Sequence, residues 1–77
     1  MNAKPIVYSR HAHGRMRLYD IPAQQVADIL ATPELREPSI EGRMNATKAI
    51  AGRRVRVTYI EEDQGYVIIT VTPLDDA

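Results

Sequence analysis

The chain contains no cysteine, no tryptophan and no phenylalanine, so its aromatic side chains, apart from two histidines, are four tyrosines. Without cysteine, neither a disulfide framework nor a cysteine-based zinc site can form. No apolar run is long enough for a signal peptide or a membrane span, and we expect a cytoplasmic protein that does not enter a membrane. A chain of 77 residues has room for one thin core, and such cores often gain stability from a homodimer.

The chain also has no net charge, but charges of one sign are grouped along it. Residues 1–18 carry four basic side chains and no acid, and residues 43–56 carry five basic side chains and no acid. The ten acids lie in residues 19–42 and 57–77. Neutrality argues against a general polyanion binder, whereas the two basic blocks would form one positive patch if they met in space.

The first half of the chain predicts a short first strand or lead-in at "IVYS", residues 6–9, followed by two short helices. Ser9 is a good N-cap for a helix over about residues 10–19, whose core-facing stripe contains Ala12, Met16 and Tyr19. Gly14 interrupts this helix at a cost of about 1 kcal/mol relative to alanine, which suggests that another group approaches it closely. A second helix follows in "DIPAQQVADIL", with Pro22 in its first turn and Pro33 ending it.

The second half predicts strands. The segments "RRVRVTYIE" and "YVIITVTP" are rich in β-branched residues with period-two alternation, and weaker strands precede them. We therefore expect an α+β fold, with two short N-terminal helices packed on one face of a three- to four-stranded antiparallel sheet. It forms a single domain over residues 1–77, with an ordered core over about residues 5–74 and a frayed acidic end.

The last two strands form a hairpin whose loop contains either three residues, 63–65, or five residues, 61–65, with Gly65 in a left-handed conformation. The first choice pairs Thr58 with Thr70, and the second pairs it with Ile68. Both predict the same core face, which contains Val55, Val57, Tyr59, Val67, Ile69 and Val71. Both also predict the same opposite face, which contains Arg54, Arg56, Thr58, Ile60, Tyr66, Ile68, Thr70 and Thr72.

Arginines beside threonine hydroxyls on that opposite face indicate a phosphate site. The candidates are Arg54, Arg56, Thr70 and Thr72, and Lys48 joins them if the turn at residues 51–53 places it on the same face. The alternative is a solvated strand face on which the arginines maintain solubility and the threonines only favour β-structure.

His11 and Arg15 lie one turn apart on the first helix, so their side chains are neighbours. Histidine transfers protons near neutral pH and arginine binds phosphate charge, which are the two functions that metal-free RNA cleavage needs. The alternative is a surface position in which His11 stacks on a neighbour and Arg15 pairs with a carboxylate from residues 34–41. No spacing of histidines and acids resembles a metal site, and we expect neither a metal nor a cofactor.

The segment "HAHGRM" matches a His-Ala-x-x-Arg-Met opening, and "YDIPAQQVADILATPE", "RVRVTYIEED" and "YVIITVTP" follow it. In these segments, over roughly residues 8–73, the chain resembles a family of small bacterial domains that has no general assigned activity. That family is similar to the RelE/ParE and BrnT-like toxins, whose fold packs helices on an antiparallel sheet. The chain departs from the family pattern at Asp20, where a glycine is usual, and at the additional His13.

The polar residues shared by the family correspond to His11, Arg15, Arg56 and Thr70. Many of the toxins are metal-independent ribonucleases, so the resemblance implies RNA or the ribosome as the target and an antitoxin protein as a partner. His11 would then be the general acid/base, Arg15 and Arg56 would stabilise the phosphate's developing charge, and Thr70 would orient the phosphate. The rival hypothesis is a non-catalytic module of the same fold that binds protein or nucleic acid, which the zero net charge favours.

Overall fold

The computed structural model describes residues 4–74, which form two helices and one five-stranded sheet. The elements are β1 (Ile6–Tyr8), α1 (Arg10–Leu18), α2 (Ala23–Ala31), β2 (Leu35–Pro38), a 3₁₀ turn (Ile40–Gly42), β3 (Met44–Ile50), β4 (Arg53–Glu62) and β5 (Gly65–Leu74). The predicted α+β class with two N-terminal helices is confirmed. The predicted frayed end at Asp75 and Asp76 lies outside the described residues. No helix within residues 4–74 is long and apolar enough to cross a membrane.

The sheet is mixed, with the strand order β1-β5-β4-β3-β2. Strands β2 to β5 form an antiparallel meander, and β1 pairs in parallel with the first residues of β5, from Tyr66 to Ile68. The short first strand predicted at residues 6–9 is confirmed as β1, but the prediction of a three- to four-stranded antiparallel sheet is wrong, because β1 joins the sheet as a fifth, parallel strand. The apolar stretch predicts the strand but not its partner, because the pairing with residues some 60 positions away depends on long-range hydrogen bonds.

The start of α1 is fixed as the sequence predicts. The Ser9 hydroxyl accepts a hydrogen bond from the Ala12 N–H at 3.0 Å and donates one to the Ile69 carbonyl at 3.0 Å. The Tyr8 ring, just before the cap, packs near His13 with ring centroids 5.6 Å apart. This contact joins the positions of a hydrophobic staple, which sets the angle at which the chain enters the helix. Ser9 therefore attaches α1 to β5 as well as capping it.

Both helices pack on the same face of the sheet. The core is formed by apolar residues of α1, α2, the connection between them and the strands β3 to β5, namely Ala12, Met16, Ile21, Val26, Ile29, Leu30, Ala46, Val55, Val57, Tyr59, Ile68 and Val71. Tyr59 is the largest fully buried side chain. Tyr19, expected in the core, is half-buried and packs against its border. The opposite face, called the helix-free face below, is covered by neither helix.

A β-bulge interrupts the pairing of β4 with β5. Thr58 pairs with Thr70, but the adjacent Tyr59 pairs with Ile68, so Ile69 is an extra residue without a cross-strand partner. The pairing predicted for the three-residue loop is confirmed at the Thr58 side of the bulge. The turn itself contains only residues 63–64, because Glu62 pairs with Gly65.

The bulge changes which residues of β5 face the helices. Ile68 is fully buried in the core, and Tyr66 packs edge-on against Tyr59 with ring centroids 5.6 Å apart. Val67 pairs instead with Ile60 on the helix-free face. The prediction that put Val67 and Ile69 in the core, and Tyr66 and Ile68 on the other face, is wrong because one extra residue inverts the alternation of the strand.

Gly65 is needed for a different reason from the predicted one. Its φ is not positive, since the positive-φ glycines are Gly42 and Gly52. A Cβ atom at position 65 would instead collide with the Pro5 carbonyl oxygen, which accepts a hydrogen bond from the Tyr66 N–H at 2.9 Å. The glycine therefore permits the close approach of the chain segment that leads into β1.

We expect Gly65→Ala to lower the free energy of unfolding by about 1–3 kcal/mol, because the added methyl group displaces the Pro5 backbone. Gly14→Ala is the matched control, since a Cβ there meets nothing within 4 Å and alanine favours the helix by about 1 kcal/mol. Urea denaturation of both variants checks the opposite signs. Equal stability of Gly65→Ala and the parent would contradict the close approach.

Candidate functional site

The helix-free face carries a band of polar residues from three strands. Arg56 in β4 lies between Thr47 of β3 and Thr72 of β5, and Thr58 lies between Asn45 and Thr70 in the next row. Arg54 lies one row further along, opposite Leu74. Period-two alternation places these side chains on one side of the sheet, so four of the predicted phosphate-site residues share a face, namely Arg54, Arg56, Thr70 and Thr72.

Part of this polar band is closely packed although no helix covers it. Thr47 is 4% exposed and Thr58 is 8% exposed, and the Thr58 hydroxyl donates a hydrogen bond to the Asn45 side-chain oxygen at 2.7 Å. The Arg56 Nε atom is also buried, and it has no hydrogen-bond partner within residues 4–74. A buried N–H without an acceptor destabilises a fold by about 1–3 kcal/mol.

Two glutamates lie near the β2 edge of the sheet. Glu37 shares the helix-free face because it pairs with Asn45, whereas Glu34 precedes β2 and its carboxylate accepts a hydrogen bond from the Ala49 N–H at 3.3 Å. Neither forms an ion pair with Arg54 or Arg56 among the described residues. The face is therefore more positive on its β4–β5 side than at its β2 edge.

Other basic residues of the sheet stabilise the helices instead. Arg53 donates hydrogen bonds to the carbonyls of Tyr19 at 2.9 Å and Asp20 at 3.5 Å, just after α1. Arg36 donates to the Leu30 carbonyl at 2.7 Å, in the last turn of α2, and to the hydroxyl of the buried Tyr59. Cations near helix C-termini satisfy free carbonyls and oppose the helix dipole.

The capping roles of Arg36 and Arg53 are not evident from the sequence. Both residues lie on the helix-covered face, because Arg36 pairs with the buried Ala46 and Arg53 alternates in step with Val55. The period-two pattern of β4 contained the signal for Arg53, which falls on the predicted core face. Nothing local identifies the carbonyl that each guanidinium reaches.

Lys48 does not lie with the arginines of the helix-free face. It pairs with Val55 on the helix-covered face, where its ammonium group donates to the Asp28 carboxylate at 3.0 Å and to the Thr32 hydroxyl at 2.7 Å. The turn at residues 51–53 therefore does not place Lys48 on the face of the predicted phosphate site. The two-residue turn at Ala51 and Gly52, both with positive φ, sets this register.

Arg15 lies at the edge of the sheet beside β5. Its Nε donates to the Val71 carbonyl at 3.2 Å, and its guanidinium lies 5.0 Å from the centre of the Tyr19 ring. The alternative in which Arg15 pairs with a carboxylate of residues 34–41 is wrong. Val71 lies between Thr70 and Thr72 in sequence, so Arg15 contacts the backbone at the border of the helix-free face.

His11 is exposed on α1 and has no hydrogen bond or ring contact with another described residue. The structure therefore brings Arg56 and Thr70 onto one face, places Arg15 at its border, and leaves His11 one helical turn from Arg15. Within residues 4–74, no group of three or more histidines and acids is arranged to hold a metal ion.

Among residues 4–74, two ionisable groups have shifted pKa values, and both lie outside the polar band. Burial raises the pKa of the Tyr8 phenol. The hydrogen bond to Glu61, at 2.8 Å, raises the pKa of the Lys4 ammonium group. The same hydrogen bond links the segment before β1 to β4. Both groups belong to β1 or to the segment that leads into it, and neither belongs to the polar band.

We expect Arg36→Met to lower the free energy of unfolding by about 1–3 kcal/mol, because it leaves the Tyr59 hydroxyl and the Leu30 carbonyl without their donor. Arg54→Met removes the same charge from the helix-free face and should change stability by less than about 0.5 kcal/mol. Chemical denaturation of the two variants measures the difference. An equal loss of stability in the two variants would contradict the conclusion that Arg36 caps a helix and Arg54 does not.

No family model matches the chain, and neither a curated protein nor a solved structure shows significant similarity to it.

Proposed function

We propose that the protein binds RNA through its helix-free face, with Arg54 and Arg56 contacting phosphates and the hydroxyls of Thr70 and Thr72 donating hydrogen bonds to phosphate oxygens. The observation that carries the proposal is that the two arginines lack partners within the described fold. Arg54 and Arg56 have no ion-pair or hydrogen-bond partner within residues 4–74, while Arg36 and Arg53 of the same sheet cap helices.

The position of Arg56 beside Thr72 supports this proposal in particular. The two residues pair across β4 and β5, so one phosphate can contact the guanidinium and the hydroxyl together. Among residues 4–74 no acidic side chain forms an ion pair with Arg56, so its charge is available to an anion.

The distribution of charge favours a strand of phosphates along the β4–β5 side. Glu37 at the β2 edge repels an anion there, whereas Arg15 adds a cation at the β5 border. Isolated surface cations bind a single phosphate weakly, and successive phosphates of one RNA chain add their contributions. A single-stranded RNA that crosses β4 and β5 near Arg54 and Arg56 satisfies these conditions.

The test is a fluorescence-anisotropy titration of a labelled single-stranded RNA of about 12 nucleotides at several salt concentrations. We expect Arg54→Gln and Arg56→Gln each to weaken binding several-fold. Each should also reduce the slope of log K against log salt by about 0.7, since each removes one phosphate contact on a single strand. Arg17→Gln, which changes an exposed arginine on α1, is the matched control and should have the smaller effect.

Two results would end the RNA proposal. One is the absence of binding to RNA at low salt by the folded parent protein. The other is a parent-like affinity and salt slope in the double variant of Arg54 and Arg56.

A second candidate function is the metal-independent ribonuclease activity implied by the resemblance to RelE/BrnT-like toxins. The placement of Arg15 favours it, since Arg15 touches the Val71 backbone between Thr70 and Thr72, on the border of the proposed RNA surface. His11 lies one turn earlier on α1 and would act as the general acid/base. Arg15 and Arg56 would stabilise the phosphate's developing charge, and Thr70 would orient it.

This candidate is tested by incubating RNA with the purified protein in the presence of EDTA and following cleavage on a gel. Loss of a general acid/base typically slows such a reaction by about 10²–10⁴-fold, so His11→Ala should abolish visible cleavage. His13→Ala, two positions away on another side of the helix, should retain it. Binding without cleavage by the parent protein supports the non-catalytic module, and cleavage that survives His11→Ala rejects the assignment of the base.

A further inference from the structure

Gly14 occupies the exposed middle of α1 although nothing within the fold requires a glycine there. A Cβ atom at this position would meet no other atom within 4 Å, and the backbone is helical with negative φ. Glycine destabilises an exposed helix interior by about 1 kcal/mol relative to alanine. The close approach that the sequence suggests at Gly14 is therefore not made by residues 4–74 themselves.

Leu18, one helical turn after Gly14, is a large apolar side chain that the fold does not bury. It is 70% exposed and lies outside the core. Arg10 and Arg17 flank the same surface, both exposed and without an ion pair within residues 4–74. At 100° per residue, these four side chains span roughly 100° of the helix circumference, on the side away from the sheet. We call this surface the outer face of α1.

A shallow groove borders the outer face on its α2 side. Its volume is about 340 Å³, and its apolar lining comes from the end of α1 and the start of α2, namely Met16, Ile21, Pro22 and Ala23. His13, Arg17 and Asp20 lie at its rim. A groove of this size can hold a large apolar side chain or two of a partner that lies along α1.

We propose that the outer face of α1 binds an acidic amphipathic helix of a partner polypeptide, which crosses α1 at Gly14. The absence of a side chain at Gly14 lets a second helix approach more closely than the usual 8–10 Å between axes. The apolar stripe of the partner packs on Leu18 and into the groove. Its carboxylates pair with Arg10 and Arg17, whose charges no described residue of the chain neutralises.

The chemistry of the surface distinguishes this partner from RNA. A phosphate backbone would use Arg10 and Arg17 but would bury no apolar surface on Leu18, and it has no need of a glycine at position 14. An amphipathic acidic helix uses all four residues. The proposal is independent of RNA binding, because it involves no residue of the helix-free face.

The probe is a synthetic peptide of about 16 residues in which a leucine and alanine stripe is flanked by glutamates at helical spacing. It is titrated into the ¹⁵N-labelled protein while amide chemical shifts are recorded. We expect shift changes concentrated in residues 10–18 and the groove, with a Kd on the order of 100 µM. A peptide of the same composition in scrambled order is the control and should bind at least about tenfold more weakly.

Variants identify the surface without disturbing the fold. Gly14→Gln should weaken peptide binding by about tenfold or more while raising the thermal stability of the protein, so that lost binding cannot come from unfolding. The double variant of Arg10→Glu and Arg17→Glu should also lose binding. Arg54→Glu, a charge reversal on the helix-free face, should leave peptide binding unchanged.

Several outcomes would overturn the proposal. These are no peptide-induced shifts at about 1 mM, an unchanged affinity in Gly14→Gln, or equal binding of the scrambled peptide. Shift changes on α1 produced by single-stranded RNA and not by the peptide would assign the outer face to nucleic acid. Concentration-dependent shifts of the same residues in the protein alone would assign it to a second copy of the chain.

Discussion

The single extra residue at Ile69 in β5 determines the character of both faces of the sheet. It lets Tyr66 and Ile68 face the helices, where they pack with Tyr59, while Thr70 and Thr72 remain opposite Thr58 and Arg56 on the helix-free face. Without the bulge, one end of β5 would expose its large apolar residues. The carbonyl of the bulged residue also accepts a hydrogen bond from the Ser9 hydroxyl, so the same irregularity joins the start of α1 to the sheet.

The arginines of the sheet acquire different roles from the face on which each one lies. Arg36 and Arg53 reach the carboxyl ends of the two helices, and their guanidinium groups are committed to backbone carbonyls. Arg54 and Arg56 differ from Arg53 by one and three positions, yet Arg54 and Arg56 project away from the helices. Charge grouped in the sequence is therefore divided in space between stabilising the helices and forming a surface that can bind an anion.

The two proposed binding surfaces are chemically distinct and lie on different parts of the molecule. The helix-free face combines guanidinium groups with threonine hydroxyls, which are donors suited to phosphate oxygens. The outer face of α1 combines cations with a glycine and an exposed leucine, a pattern suited to a protein helix. The hydrogen bond from Arg15 to the Val71 carbonyl connects α1 to the border of the helix-free face. The helix that carries one surface therefore contacts the strand that carries the other.

Local patterns in the sequence were sufficient for the helices, the Ser9 cap and the buried Tyr59, because each depends on periodicity or capping within a few residues. They left open whether Arg56 pairs with Thr72 or with Thr70, and the bulge decides for Thr72. Tertiary structure alone decided the parallel pairing of β1, the bulge, the collision that requires Gly65, and the separation of Lys48 from Arg56. Each of these depends on which distant segment lies alongside, through long-range hydrogen bonds and steric contact. The sequence alone determined which residues could bind an anion, and the sheet register decided which of them share a face.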